Sequence, residues 1–289
     1  MREHNKRIVI LGVSGMLGNA VYRLLSQSGV YEVFGTVRSM GAISAFSDEL
    51  KLNVTQGVDV ENFDHLLSVL SSHKPDVVIN CIGLVKQLAA SNNPLDALPI
   101  NAIFPHRLAN ICSAVGARLI HLSTDCVFSG KKGDYVEADF PDAYDLYGRS
   151  KLIGEVDYQN AITLRTSIIG HELNGNRSLI DWFLSQEGSI LGYKNAIFSG
   201  LPTVEIARII RDFVIPNREL RGVYHVSAEP INKFDLLTLV AKIYGKEIEI
   251  KEDISLSINR SLNSIRFRNA TGFEPLEWPE MIALMKNFN

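Results

Sequence analysis

Cysteine is scarce in this sequence, and its arrangement excludes more than its number does. The three cysteines, Cys81, Cys112 and Cys126, form an odd set without C-x-x-C spacing. That excludes a disulfide framework and a structural zinc site, and it fits a reducing compartment, the cytoplasm. Charge of one sign is lacking too: 29 Lys and Arg stand against 32 Asp and Glu, a net charge of −3, and the basic residues are scattered. Binding a phosphate backbone requires a concentrated cationic face, so nucleic acid is not an expected partner. No apolar run approaches the roughly 20 residues of a membrane span, and no membrane is expected. The basic residues 1–7 lead into a short apolar run, 8–13, without a cleavage site, so they do not read as a signal peptide. Asp and Glu show no metal-ligand spacing, and no metal is expected.

Apolar material is plentiful. It makes up 46% of 289 residues, enough for one large or two interlocked domains at the usual ~100–200 residues each. Through the first half, strand-like runs alternate with helical patterns, the order of βαβ units around a parallel sheet. Strands are read at 7–12, 31–37, about 50–54, 76–80, 117–123 and 161–168. Helices are read at 16–28, 60–71 and 102–115. Beyond about residue 170 the elements shorten between Gly and Pro punctuation. The expectation is a doubly wound α/β domain over 1–168 and a smaller, interlocked substrate lobe over 169–289 that returns some segments to the sheet. Ligands of such sheets lie at the carboxyl ends of the strands, where the second half would form a lid.

Gly12-Val-Ser-Gly15-Met-Leu-Gly18 stands at the first strand-to-helix turn. There the first glycine permits the turn, the second lets a pyrophosphate approach the backbone, and the third lets helix and strand pack closely. The free N–H groups of the helix start, at Met16, Leu17 and Gly18, would face phosphates. A dinucleotide site is expected. The second strand ends in Arg38 with no acid nearby, which favours a 2′-phosphate and so NADP(H) over a bare ribose; a solvated loop charge is the alternative reading of Arg38.

Tyr147-Gly-Arg-Ser-Lys151 puts a phenol and an ammonium on one helical face. A nearby cation would lower the phenol pKa and make it a usable proton donor, while Lys151 could also reach a ribose hydroxyl. Ser123-Thr124-Asp125 closes an apolar strand with hydroxyls able to hold a carbonyl oxygen. His121, inside that strand, reads as core; His171 could touch a substrate.

Taken with Asp76-Val-Val-Ile-Asn80-Cys81, Asn101, Ser123-Thr-Asp-Cys-Val-Phe128, Lys151-x-x-Gly-Glu155, Leu164-Arg-Thr-Ser167 and Gly222-Val-Tyr-His-Val-Ser227, these residues resemble the extended short-chain dehydrogenase/reductases. Within them, the chain is most similar to the dTDP-4-dehydrorhamnose reductase branch. The resemblance covers nearly the whole chain. It implies a Rossmann fold, NADP(H), and reduction of the C4 ketone of a nucleotide-linked 4-keto-6-deoxy sugar in polysaccharide precursor synthesis, by a monomer or homodimer. Tyr147 would protonate the developing alkoxide, Lys151 would tune it and bind the nicotinamide ribose, and Thr124 would orient the oxygen. Cys81, Gly83 and Val85 would line cofactor and sugar, and Asn53 and Val54 would meet the adenine, where the family usually has Asp first.

Two departures bear on the sugar. Cys126 and Ile168 stand where the branch has Tyr and Trp, which implies a roomier pocket beside Asp125 and raises a UDP-linked 2-acetamido-2,6-dideoxy-4-ketosugar as the substrate in place of dTDP-4-dehydrorhamnose. Cys126 reads as a small wall residue, since no base adjoins it. The alternatives are a catalytically silent NADP-binding regulatory subunit, which the same branch includes, and a sugar-nucleotide epimerase or dehydratase. The absence of Glu after Asp125 argues against the dehydratase.

Overall fold

Seven parallel strands form the sheet on which everything else is hung, in a computed structural model that describes residues 5–44, 46–86 and 88–288. The first four of the basic residues 1–7 lie outside the described residues. In chain order the strands are β1 (Arg7–Leu11), β2 (Glu32–Val37), β3 (Val54–Gln56), β4 (Val77–Asn80), β5 (Arg118–Thr124), β6 (Ala161–Thr166) and β7 (Gly222–His225). Their spatial order is β7-β6-β5-β4-β1-β2-β3. The order reverses between β1 and β4, the position at which doubly wound sheets open a crevice for ligands. Two apolar clusters cover the two faces, one containing Ile8, Ile10 and Val33, the other Val9, Leu11 and Val78. Burial on both faces explains why β1 and β4 are continuous Val/Ile/Leu runs without alternation.

The third strand lies further along the chain than the sequence pattern indicates. Asp48–Lys51 forms a short helix, and β3 begins only at Val54. The sixth strand also ends early, at Thr166, and Ile168–Ile169 starts a separate pairing with Leu201–Pro202. The second half returns twice to the core: β7 joins the sheet beside β6, and the helix Thr203–Ile209 packs on the helix Met16–Gln27. Its remaining elements, including Ala196–Phe198, Ile258–Asn259 and the helix Lys233–Tyr244, lie outside that sheet, the first two paired in a small sheet of their own. No helix among the described residues is long and apolar enough to cross a membrane.

Candidate active site

The glycine turn is shaped by close approach. Gly12 has φ +84°, and a Cβ on Gly18 would lie 2.2 Å from the Gly12 carbonyl oxygen, so strand and helix can meet only without side chains there. Gly15 caps the helix Met16–Gln27 without a side chain, and Asn19 N–H is the first to close a helical bond, onto Gly15 O at 2.8 Å. The N–H groups of Met16, Leu17 and Gly18 thereby keep their donors for an anion. Arg38 is exposed immediately after β2. These residues fit a dinucleotide: an open donor row for its pyrophosphate and a cation at the end of β2.

Asn53 and Val54 are placed differently from the expectation. The Asn53 carbonyl accepts from Gly35 N–H in the middle of β2, so both residues stand at the amino end of β3. The chain reaches the carboxyl edge at Gln56, Val58 N–H extends the pairing to Val37 O, and Asp59 and Val60 follow. Those two residues lie just beyond the carboxyl end of β3, the strand that neighbours β2.

On the other side of β1, Cys81 follows β4 with its N–H on Leu11 O. The succeeding loop is clamped by Asn101, which accepts from Leu84 N–H and donates to Leu84 O at 2.8 and 3.1 Å. Gly83 leaves space beside Lys151: a Cβ there would stand 3.7 Å from Lys151 Nζ. Val85 is exposed, and the neighbouring Lys86 pairs with Asp145 at 2.8 Å. Asp145 also caps the helix Leu146–Ile153 by accepting from Gly148 N–H. A Cβ on Gly148 would meet the Cys126 carbonyl at 2.3 Å, so this glycine allows the Tyr147 helix to lie against the turn after β5.

That packing brings Tyr147 to Thr124, Asp125 and Cys126. Thr124, almost fully buried, donates to Asp125 at 3.2 Å and accepts from Cys126 N–H at 3.1 Å. Burial raises the Tyr147 phenol above its ordinary value, nearby Cys126 adds to the rise, and a hydrogen bond with Thr124 opposes it. The expected lowering by Lys151 does not occur. Lys151 is buried and donates to the Leu122 carbonyl at 2.8 Å, and burial lowers its own pKa to about 8, against the pull of Glu155 and Cys81. Burial likewise pushes the Cys126 thiol up to about 12, which keeps it protonated and suits a wall residue. Ile168 is half-buried two residues past the end of β6, where Thr166 pairs with Thr124.

Three motif residues without an assigned task form one buried network behind this edge. Glu155 binds Arg165 through both oxygens at 2.7 and 2.6 Å and accepts from Ser123 at 2.6 Å. Arg165 continues to His225 Nε2 at 3.2 Å, and His225 Nδ1 meets the Tyr135 carbonyl at 2.9 Å. Burial and the Arg165 charge hold His225 down to about 3, so it is neutral and can accept from the guanidinium. His121 is buried in β5 against Asn80, and burial keeps it neutral as well. His171 has both ring nitrogens engaged, by Asp181 and by Tyr244 at 2.8 Å, which makes it a strut between helices. Among the described residues no group of three His, Cys, Asp or Glu could hold a metal ion.

Known proteins resemble this chain along most of its length. The family model described as RmlD substrate binding domain matches residues 6–255. A dTDP-4-dehydrorhamnose reductase of Aggregatibacter actinomycetemcomitans is 26% identical over 94% of this chain and 95% of its own. Methionine adenosyltransferase 2 subunit beta of Danio rerio is 27% identical over 83% of this chain and 74% of its own. Among solved structures, dTDP-4-dehydrorhamnose reductase of Bacillus anthracis in complex with NADP superposes with a TM-score of 0.80 at 21% identity, covering 99% of this chain and 100% of that one.

Proposed function

The chain belongs to the RmlD substrate binding domain family, and on that premise we propose that it is an NADPH-dependent reductase of the C4 ketone of a nucleotide-linked 4-keto-6-deoxy sugar. The observation that carries this reading is that Tyr147 stands at Thr124 on the carboxyl edge of β5, with Lys151 one helical turn on and bonded to the Leu122 carbonyl of the same strand. NADPH, when bound, supplies the hydride that reduction requires. Thr124 Oγ1 positions the carbonyl oxygen. The phenol of Tyr147, protonated at neutral pH, then donates its proton to the developing alkoxide. Lys151 Nζ, fixed on Leu122 O, keeps further N–H donors for the nicotinamide ribose. The adenine is assigned to the edge at Asp59 and Val60. Following the absorbance of NADPH against a panel of dTDP- and UDP-linked 4-keto-6-deoxy sugars tests the reading. Tight NADPH binding with no turnover on any of them would favour a non-catalytic subunit.

Arg38 supports the choice of NADP(H), since it is exposed at the end of β2 and no acid follows it in the next residues of the chain. Arg38→Asp should reverse the preference, because it removes a phosphate partner and sets like charge against the 2′-phosphate. Dissociation constants for NADPH and NADH in both proteins decide this; unchanged values would leave Arg38 as a solvated charge.

The sugar is a separate question. Cys126 and Ile168 are half-buried and small, and an aromatic ring at either position would cover about 150–250 Å² when packed. The smaller side chains at these two positions support a UDP-linked 2-acetamido-2,6-dideoxy-4-ketosugar over dTDP-4-dehydrorhamnose. Shape discrimination of about 1–3 kcal/mol per group gives an expected kcat/KM ratio of roughly tens to hundreds. Cys126→Tyr with Ile168→Trp should narrow or reverse it. Equal efficiency of the unaltered protein on both sugars refutes the sugar assignment and leaves the reductase reading intact.

A further inference from the structure

Between Thr124 and Tyr147 the chain leaves the sheet and returns, and residues far downstream hold it in place. The base of this loop is residues 127–129: Ala143 N–H donates to Val127 O at 3.0 Å, and Ser129 donates through its N–H and its hydroxyl to Asp142 at 2.7 and 2.6 Å. Val127 follows closely on Thr124, and Ala143 closely precedes Asp145, the cap of the Tyr147 helix. The base therefore spans the gap between the two side chains. Beyond it the loop turns through Gly130, Gly133 and Asp134, at φ +88°, +73° and +45°. Tyr135 then comes back to stack on Phe128, with ring centres 4.1 Å apart.

Residues 259–263, from the second half of the chain, grip both the base and the tip. Arg260 Nε donates to Phe128 O at 2.9 Å, and Asn259 N–H to Gly130 O at 2.8 Å. Tyr135 N–H donates to Ser261 O at 2.9 Å, and Asn263 N–H to Tyr135 O at 2.8 Å. The fit is close: a Cβ on Gly130 would lie 2.4 Å from Ile258 Cγ1, and one on Gly133 2.2 Å from Asn259 Nδ2. Asp134 carries a side chain in the left-handed region, a conformation that persists only where the surroundings enforce it. Ser261 does so. It is 2% exposed, its hydroxyl gives its hydrogen to Asn259 Oδ1 at 2.8 Å, and the same oxygen accepts from Asp134 N–H at 2.8 Å. The grip is itself anchored, because Ile258–Asn259 pairs with Ala196–Phe198 and Leu262 N–H bonds Ser199.

We infer that residues 259–263 brace the catalytic pair, with Ser261 as a positioning residue that fixes the loop and, through its base, the spacing of Thr124 and Tyr147. The inference rests on the reductase reading and gives a task in that reaction to a segment that touches neither side chain. Proton transfer needs aligned groups, and a misplacement of about 1 Å can cost roughly a hundredfold.

The unaltered protein, Ser261→Ala and Ser261→Thr are compared on dTDP-4-dehydrorhamnose and on the UDP-linked 2-acetamido-2,6-dideoxy-4-ketosugar, with circular dichroism and NADPH affinity as controls for folding. Rates are measured with NADPH and with NADPH deuterated at the transferred position. Ser261→Ala is expected to lower kcat by roughly 10- to 100-fold with NADPH affinity within about twofold, and to enlarge the isotope effect on kcat as the chemical step becomes limiting. Ser261→Thr, which keeps the hydroxyl, should retain most of the rate. A loss of folded protein alone would leave the isotope effect unchanged. An unchanged kcat in Ser261→Ala, a loss without a larger isotope effect, or equal losses in the two variants overturns the positioning role alone. Failure of the unaltered protein to reduce either sugar overturns the reductase reading and this inference with it.

Discussion

Tyr147→Phe is expected to remove most turnover, by about 10²–10⁴-fold in kcat, while leaving NADPH binding close to its original strength. The substitution deletes one hydroxyl, and with it the proton that must reach the alkoxide, but it keeps the ring that packs on the turn at Cys126. Because burial holds the phenol above its ordinary value, the donor stays protonated across the neutral range, and the alkaline limit on rate should come from Lys151. That ammonium, lowered to about 8, loses its proton as pH rises through that value, so kcat/KM should decline there and not near pH 10. Steady-state rates with NADPH as a function of pH check both statements. Near-normal turnover in Tyr147→Phe would remove the proposed proton donor, and a flat alkaline limb well beyond pH 8 would remove Lys151 from the rate.

How far the sequence foretold this site depended on local signal. The glycine turn and the Tyr147 helix are written in contiguous residues whose spacing carries its own geometry, and the structure puts both at the sheet edge. The third strand lies later than its apolar pattern indicates because β3 is only three residues long, Val54–Gln56, and has a single strongly apolar side chain. The better apolar match at residues 50–54 includes part of a short helix, so Asn53 and Val54 stand at the amino end of β3 and not at its ligand edge. Glu155, Arg165 and His225 were visible as motif residues, but their common purpose depends on β5, β6 and β7 lying side by side, which no spacing along the chain encodes.

The largest effect on stability is expected from that buried network. The Glu155 and Arg165 side chains are each 6% exposed, so Glu155→Ala leaves a guanidinium in the interior with its two carboxylate bonds gone and only the neutral His225 ring as an acceptor. The desolvation already incurred by Arg165 is then uncompensated, and breaking a buried pair from one side typically costs about 3–5 kcal/mol. Ser123 loses its acceptor in the same change, and since Ser123 precedes Thr124 on β5, activity should fall along with stability. Removing both charges, as in Glu155→Gln with Arg165→Met, should recover a large part of the loss, because an apolar replacement of similar volume spares the interior the orphaned cation. Urea denaturation of the single and double variants measures the difference. A loss below about 1 kcal/mol in Glu155→Ala would mean that water reaches Arg165 and that the network holds the strand ends less firmly than its geometry implies.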